Sequence, residues 1–218
     1  MIDALIFDMD GTLVDSEHLT RAAVNAACAE VGVDGDAFPD EKLHGVTWDQ
    51  IATGLRAQFP GLAVSGAELH RRCHALARAE PPAPVPGVVA ALAAARDAGL
   101  ALALATSSNR EGADALLDRP GFEPLGVRVT ADDITRSKPD PEIFLLAAER
   151  LGVPPDRCMV FEDSIAGLRA ARAAGMQSVA VLHACADPAR ARALASHAIT
   201  DYTELPPGFF GSVRSGGS

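Results

Sequence analysis

Short apolar runs recur along the chain at a spacing that leaves few architectures open. They are ALIFD (Ala4 to Asp8), LALALAT (Leu100 to Thr106), VRVTA (Val127 to Ala131), CMVFED (Cys158 to Asp163), SVAVL (Ser178 to Leu182) and HAIT (His197 to Thr200). From the second run onward helical-looking segments separate them, at Arg110 to Leu117, Pro141 to Leu151, Ile165 to Ala174 and Pro188 to Ala195. Strands that alternate with helices pair in parallel, because each crossover returns the chain to the same end of the sheet, and the helices then cover both faces. Strands buried on both faces read as near-continuous apolar runs. The expected fold class is α/β, a doubly wound parallel sheet.

Between the first and second runs this rhythm stops. Ser16 to Val31, Asp49 to Phe59 and Ser65 to Ala79 read as amphipathic helices, broken at VGVDGD and FPGLAVSG. The block is too long for a normal βα crossover, and it ends at EPPAPVPG (Glu80 to Gly87), a stiff linker composition. An inserted α-helical cap domain is therefore expected over 16–81, an α/β core over 1–15 and 82–210, and a disordered tail over 211–218. No internal repeat is visible.

Composition narrows the function. With 48% hydrophobic and 22% charged residues the chain can build a sizeable core. A net charge of −10 disfavours a nucleic-acid or anionic-membrane surface, while leaving room for a local basic pocket that takes a small anion. The cysteines, Cys28, Cys73, Cys158 and Cys185, are widely spaced and form no C-x-x-C pair, so they read as buried thiols in a reducing cytoplasm. Neither a signal peptide nor a membrane span is indicated, because the alanine-leucine stretches are interrupted by Arg, Asp or Gly.

The first run ends on Asp8 and Asp10, one residue apart, followed by Gly11 and Thr12. Carboxylates that close repel one another unless a cation or a set of hydrogen bonds compensates them. In an open parallel sheet ligands bind beyond the carboxyl ends of the strands, and the other chemically useful residues fall on that same rim. Thr106-Ser107-Ser108-Asn109 follows the second run, Lys138 lies in the loop after the third, and Glu162-Asp163 follows the fourth. Taken singly, each has a structural reading: a turn aspartate, a helix N-cap, a capping sequence before Ile165. Their coincidence on one edge favours chemistry. Clustered carboxylates suit a hard divalent cation such as Mg²⁺, and hydroxyls, backbone N–H groups and a lysine suit a phosphate. One carboxylate can then attack the phosphate while a second trades the proton, and a turn at Gly11 lets Asp8 and Asp10 divide these roles.

DMDGT, ATSSN, SKPDPEIF and FEDSIAGLRAARAAGM, in this order, resemble the four motifs of the haloacid dehalogenase-like (HAD) hydrolase superfamily, in its β-phosphoglucomutase-like and phosphoglycolate phosphatase-like branch with a helical cap. The resemblance runs from the N-terminus to about Gly175 and implies a Rossmann-like core. It implies that Asp8 is the nucleophile and a metal ligand. It makes Asp10 the general acid/base, which lends its backbone carbonyl to Mg²⁺. Thr106, Ser107 and Lys138 bind phosphate, Asp163 supplies the remaining metal carboxylate, and Glu162 is its neighbour or co-ligand. Dehalogenation is not expected, because the dehalogenating members lack the second aspartate that Asp10 supplies.

In cap-bearing members the leaving group is read largely by the cap, which directs attention to LHGVTWDQI (Leu43 to Ile51), with a break at Gly45 and the specificity candidates Thr47 and Trp48. Thr47 reads equally as an N-cap and Trp48 as cap packing. The β-phosphoglucomutases place an arginine where Trp48 stands, with Lys42, His44 and Arg56 as nearby substitutes here. His18 reads as a solvated group or a hinge, and Arg71 and Arg72 as an exposed helix face. The expectation is a cytoplasmic Mg²⁺-dependent phosphatase for a small phosphorylated metabolite, a sugar or polyol phosphate. A hexose-phosphate mutase or a phosphoglycolate phosphatase are the enzyme alternatives. A catalytically silent binding module is the third, against which the presence of Asp8, Asp10 and Lys138 argues. The partners expected are that metabolite, no nucleic acid and no membrane, with the chain a monomer or weak homodimer.

Overall fold

The computed structural model describes residues 1–43 and 47–215. The chain forms two compact units, Met1–Val14 with Pro84–Ser218, and Asp15–Ala83. Strands β1 (Ala4–Phe7), β2 (Ala101–Ala105), β3 (Val127–Val129), β4 (Cys158–Glu162), β5 (Gln177–Val181) and β6 (His197–Ile199) make one parallel sheet in the order β3-β2-β1-β4-β5-β6. The helices are α1 (Glu17–Ala29), α2 (Trp48–Gln58), α3 (Gly66–Ala79), α4 (Val88–Asp97), α5 (Arg110–Leu117), α6 (Glu142–Leu151), α7 (Ile165–Ala173), α8 (Pro188–Leu194) and α9 (Phe209–Ser215). After β3 the chain crosses back over β1 to lay down β4. The strand order thus reverses between β1 and β4, and the crevice at their carboxyl ends is where such a sheet takes a ligand.

The alternation of side chains along β1 decides what covers each face. Leu5 and Phe7 lie with Leu102, Leu104, Met159 and Phe161 in a core closed by Val88 and Leu92 of α4, Leu116 of α5 and Phe210 of α9. Ala4 and Ile6 lie with Ala103, Ala105 and Val160 in a second core closed by Ile143 and Phe144 of α6 and Ala170 of α7. The alanines on that face leave room for the bulky side chains of α6, each worth roughly 1.5–3 kcal/mol when fully buried.

The helix α4 is absent from the expected elements, although Val88, Ala91, Leu92 and Ala95 carry a helical period and are all buried. The expected disordered tail is corrected over 211–215. There the chain is the helix α9, tied in by Phe210 and by the Ile2 amide, which donates to the Val213 carbonyl at 2.9 Å. Residues 216–218 lie outside the described residues.

The unit Asp15–Ala83 has its own core, in which Val24 and Cys28 of α1 meet Phe38, Ile51, Leu55 and Leu69. Arg72, expected on an exposed face, is half-buried and ties α1 to α3 through Glu30 (2.7 Å) and Glu68 (2.8 Å), whereas Arg71 and His18 are exposed. Cys28 and Cys158 are buried, Cys73 and Cys185 only half-buried. Among the described residues no helix is long and apolar enough to cross a membrane.

Candidate active site

The pairing of β1 with β4 runs one residue past Phe7: the Asp8 amide donates to the Phe161 carbonyl at 3.0 Å. That step sets Asp8 beside Glu162, and by the two-residue period both side chains continue the Ile6 and Val160 face. Lys138, brought in on the loop before α6, lies between them. Its Nζ donates to Asp8 Oδ1 at 2.5 Å, to Glu162 Oε2 at 2.8 Å and to the Ala105 carbonyl at 3.4 Å, and sits 5.0 Å from the Phe144 ring centroid. The three side chains are 7%, 9% and 1% exposed for Lys138, Asp8 and Glu162, so their charges act with little screening from water.

Burial first, and then the neighbouring Glu162, push the Asp8 carboxyl up to about 8 against the pull of Lys138. Burial disfavours the Lys138 ammonium as well, but Asp8 and Glu162 outweigh it and hold the amine protonated beyond the ordinary lysine range. The lysine therefore offsets only part of the negative charge gathered here.

Asp163, also buried, is seated by the turn after Asp10. Thr12 Oγ1 donates to Asp163 Oδ1 at 3.0 Å. Gly11 has φ +74°, and a Cβ there would lie 2.4 Å from Asp163 Oδ2, so this position needs glycine both for its backbone and for the space. Glu162 is fixed from its other side, where Oε1 accepts from the Ser164 amide at 3.0 Å and the Ser164 hydroxyl at 2.8 Å. A Cβ at Gly167, in the first turn of α7, would lie 2.0 Å from Glu162 Oε2.

Asp8, Glu162 and Asp163 each offer a carboxylate oxygen within 4.8 Å of the others. When all three are ionised, these carboxylates exceed the single ammonium of Lys138 by the charge of a divalent cation, a state that such a cation would favour, and the all-oxygen donor set fits Mg²⁺. Glu162, expected as a neighbour or co-ligand of Asp163, belongs to this cluster and also anchors Lys138 through Oε2 and accepts from Ser164 through Oε1.

The loop after β2 completes the rim. Thr106 is buried, and its Oγ1 accepts from the Ser108 amide at 3.0 Å. The Ser108 hydroxyl donates to Asp10 Oδ2 at 2.8 Å, while Ser107 is exposed. Asn109 caps α5 by accepting from the Gly112 amide.

The structure thus brings Asp8, Glu162, Asp163 and Lys138 together and links Asp10 to the Thr106 loop. Thr47 and Trp48 belong to the other unit. Thr47 makes the capping box of α2 with Gln50, and Trp48 lies 5.6 Å, ring to ring, from His70. The break at Gly45 and the neighbouring His44 lie outside the described residues. Sequence reasoning placed Ser108 on the rim without its bond to Asp10, and gave no part in the site to the supporting residues Thr12, Ser164 and Gly167. A signal existed for the last, since glycine inside a helix costs about 1 kcal/mol against alanine and invites a packing reason.

Comparison with known proteins identifies relatives of this chain. The protein CbbY of Cereibacter sphaeroides is 36% identical over 192 residues, 82% of this chain and 84% of that one. Fructose-1-phosphate phosphatase YqaB of Escherichia coli (strain K12) is 35% identical over 190 residues, 81% of this chain and 95% of that one. A crystal structure of a CbbY variant from Rhodobacter sphaeroides in complex with xylulose-(1,5)bisphosphate superposes with a TM-score of 0.77 at 32% identity, covering 94% of this chain and 96% of that one. The family model for haloacid dehalogenase-like hydrolases matches residues 2–175, the span that carries every residue of the rim just described, and the chain belongs to that family.

Proposed function

We propose that this enzyme is a Mg²⁺-dependent phosphatase that hydrolyses a small sugar or polyol phosphate through an aspartyl-phosphate on Asp8. The observation that carries the reading is the buried Lys138, bridging Asp8 and Glu162 beside Asp163 at the point where the strand order reverses.

In this reading Lys138 holds Asp8 by Oδ1 and presents its remaining charge to the phosphate, helped by Thr106, Ser107 and the backbone that follows. The Asp8 carboxylate attacks phosphorus, and the bond from phosphorus to the sugar oxygen breaks as the Asp8 oxygen–phosphorus bond forms. Asp10, positioned by Ser108, gives its proton to the departing oxygen. It then takes a proton from the water that attacks the aspartyl-phosphate, releasing inorganic phosphate and restoring Asp8. Asp8, Asp163 and the backbone carbonyl of Asp10 would hold Mg²⁺, which when bound screens the carboxylates from the phosphate and draws charge from its oxygens. Glu162 acts through Lys138.

The sugar assignment is supported by the relatives, one named for fructose 1-phosphate and one solved with xylulose-(1,5)bisphosphate. The helical unit Asp15–Ala83 is assigned the role of cap, with Thr47 and Trp48 as its contacts to the leaving group. Free cysteines support a reducing compartment, the cytoplasm. Phosphate release across a panel of sugar phosphates, polyol phosphates and phosphoglycolate, with and without Mg²⁺, tests the reading. Mg²⁺-dependent release favouring sugar or polyol phosphates is expected, and undiminished release after exhaustive chelation contradicts it.

A further inference from the structure

We propose that His70 and His74 form a second cation site, of a different chemical class, that takes a divalent transition metal such as Ni²⁺ through two imidazole nitrogens. Both residues lie on α3 in the unit Asp15–Ala83, and their spacing of four places them one above the other on one helix face. Their rings stand perpendicular with centroids 4.3 Å apart, and the two Nε2 atoms are 2.8 Å from one another. Two such nitrogens can share one proton, but that distance has a further meaning. Imidazole nitrogens bound to one ion at about 2.0–2.1 Å, at a right angle to each other, are themselves about 2.9 Å apart. The helix therefore already holds the pair at the separation that chelation requires, and binding needs the shared proton to leave for Nδ1 or solvent so that both Nε2 lone pairs face the ion. The side chains are half-buried, so their rings are restrained yet reachable.

The donor set also separates this site from the carboxylate cluster. Imidazole suits Ni²⁺, Cu²⁺ and Zn²⁺, and tetragonal nitrogen coordination suits the first two, whereas Mg²⁺ demands oxygen. Glu68 and Glu30 lie on the same unit, and both are engaged by Arg72.

Trp48, the one tryptophan of the chain, reports on the site directly, because its ring centroid is 5.6 Å from that of His70. The test is a titration of tag-free full-length protein with Ni²⁺ in excess Mg²⁺, following Trp48 emission and, by calorimetry, stoichiometry. The expected result is saturable quenching at one Ni²⁺ per chain near Trp48, weakened at least about tenfold in His70→Gln and in His74→Gln and unchanged in His18→Gln and His197→Gln. Glutamine keeps a good helix former at both positions, and an unchanged far-UV spectrum establishes that the variants are folded. Absence of saturable quenching in the folded wild type, or quenching that survives unchanged in both pair variants, overturns the proposal.

Discussion

Glu162 occupies the space that a side chain at Gly167 would fill: a Cβ there would lie 2.0 Å from both its Cδ and its Oε2. The same Oε2 accepts from Lys138, so the lysine, the glutamate and the helix start form one packed unit. Gly167→Ala should therefore displace Glu162 and, with it, Lys138. We expect phosphate release to fall at least about tenfold. Stability should fall by no more than about 2 kcal/mol, because the overpacking cost of about 1–3 kcal/mol is partly offset by the roughly 1 kcal/mol helix preference of alanine. Activity and thermal melts on the same preparation check this, and unaltered activity would show that Glu162 has room to spare.

Asp133 supplies a stability prediction with a defined pH sign. Its Oδ1 accepts from Arg150 (2.8 Å) and Arg110 (2.7 Å), and its Oδ2 from the amide and hydroxyl of Thr130 (both 2.9 Å). The Arg150 hydrogen bond above all holds its carboxyl well below the ordinary aspartate range, against the smaller opposing effect of burial. A carboxyl depressed in the folded state stabilises above the unfolded value of about 3.9, and that contribution is lost as pH falls through the folded one. Asp133→Asn should cost about 1–2 kcal/mol at neutral pH, since both guanidiniums are partly in water. Denaturant melts at several pH values should show the gap to wild type closing below about pH 4.

Tyr202 presents the opposite case. Its ring stacks on Phe161 at 5.6 Å, and its buried hydroxyl has no hydrogen-bond partner among the described residues. Burial first, then Asp8, Asp163 and Glu162, push its ionisation far up, so the phenol stays neutral. Tyr202→Phe keeps the stacking and removes the unsatisfied group. It should leave stability equal or higher by about 1 kcal/mol, as read from the denaturation midpoint.

On the proposed assignment of Trp48 to the leaving group, hydrolysis is expected over isomerisation. A mutase must hold a doubly phosphorylated intermediate, which calls for a cation on the distal phosphate, and arginine grips best. Trp48 can stack on a sugar face but cannot bind that charge. Stoichiometric phosphate release from a monophosphate is expected, with no diversion by β-glucose 1,6-bisphosphate. Conversion of β-glucose 1-phosphate to glucose 6-phosphate faster than phosphate release would point to another cation.

The strands were legible because burial on both faces leaves a continuous apolar run, as in Ala4–Phe7, and the rim because Asp8, Thr106 and Glu162-Asp163 end such runs while Lys138 lies in the loop after the third. The helix α4 was not read, since VVAALAAARD is apolar enough to blur its own period. The helix α9 was hidden by a glycine- and serine-rich composition, and only the docking of Phe210 reveals it. Gly167 and Ser164 were invisible as site residues because they touch no reacting group. They shape the position of Glu162, and close approach in three dimensions leaves little trace in a linear pattern.

The central claim is that Asp8 carries the phosphoryl group. Its most direct test is steady-state phosphate release by purified Asp8→Asn, together with acid-quenched mass spectrometry of the wild type during turnover. The account predicts a variant that remains folded yet at least about 10³-fold slower, and one phosphoryl group on the wild-type peptide that contains Asp8. Turnover by Asp8→Asn close to that of the wild type would contradict it.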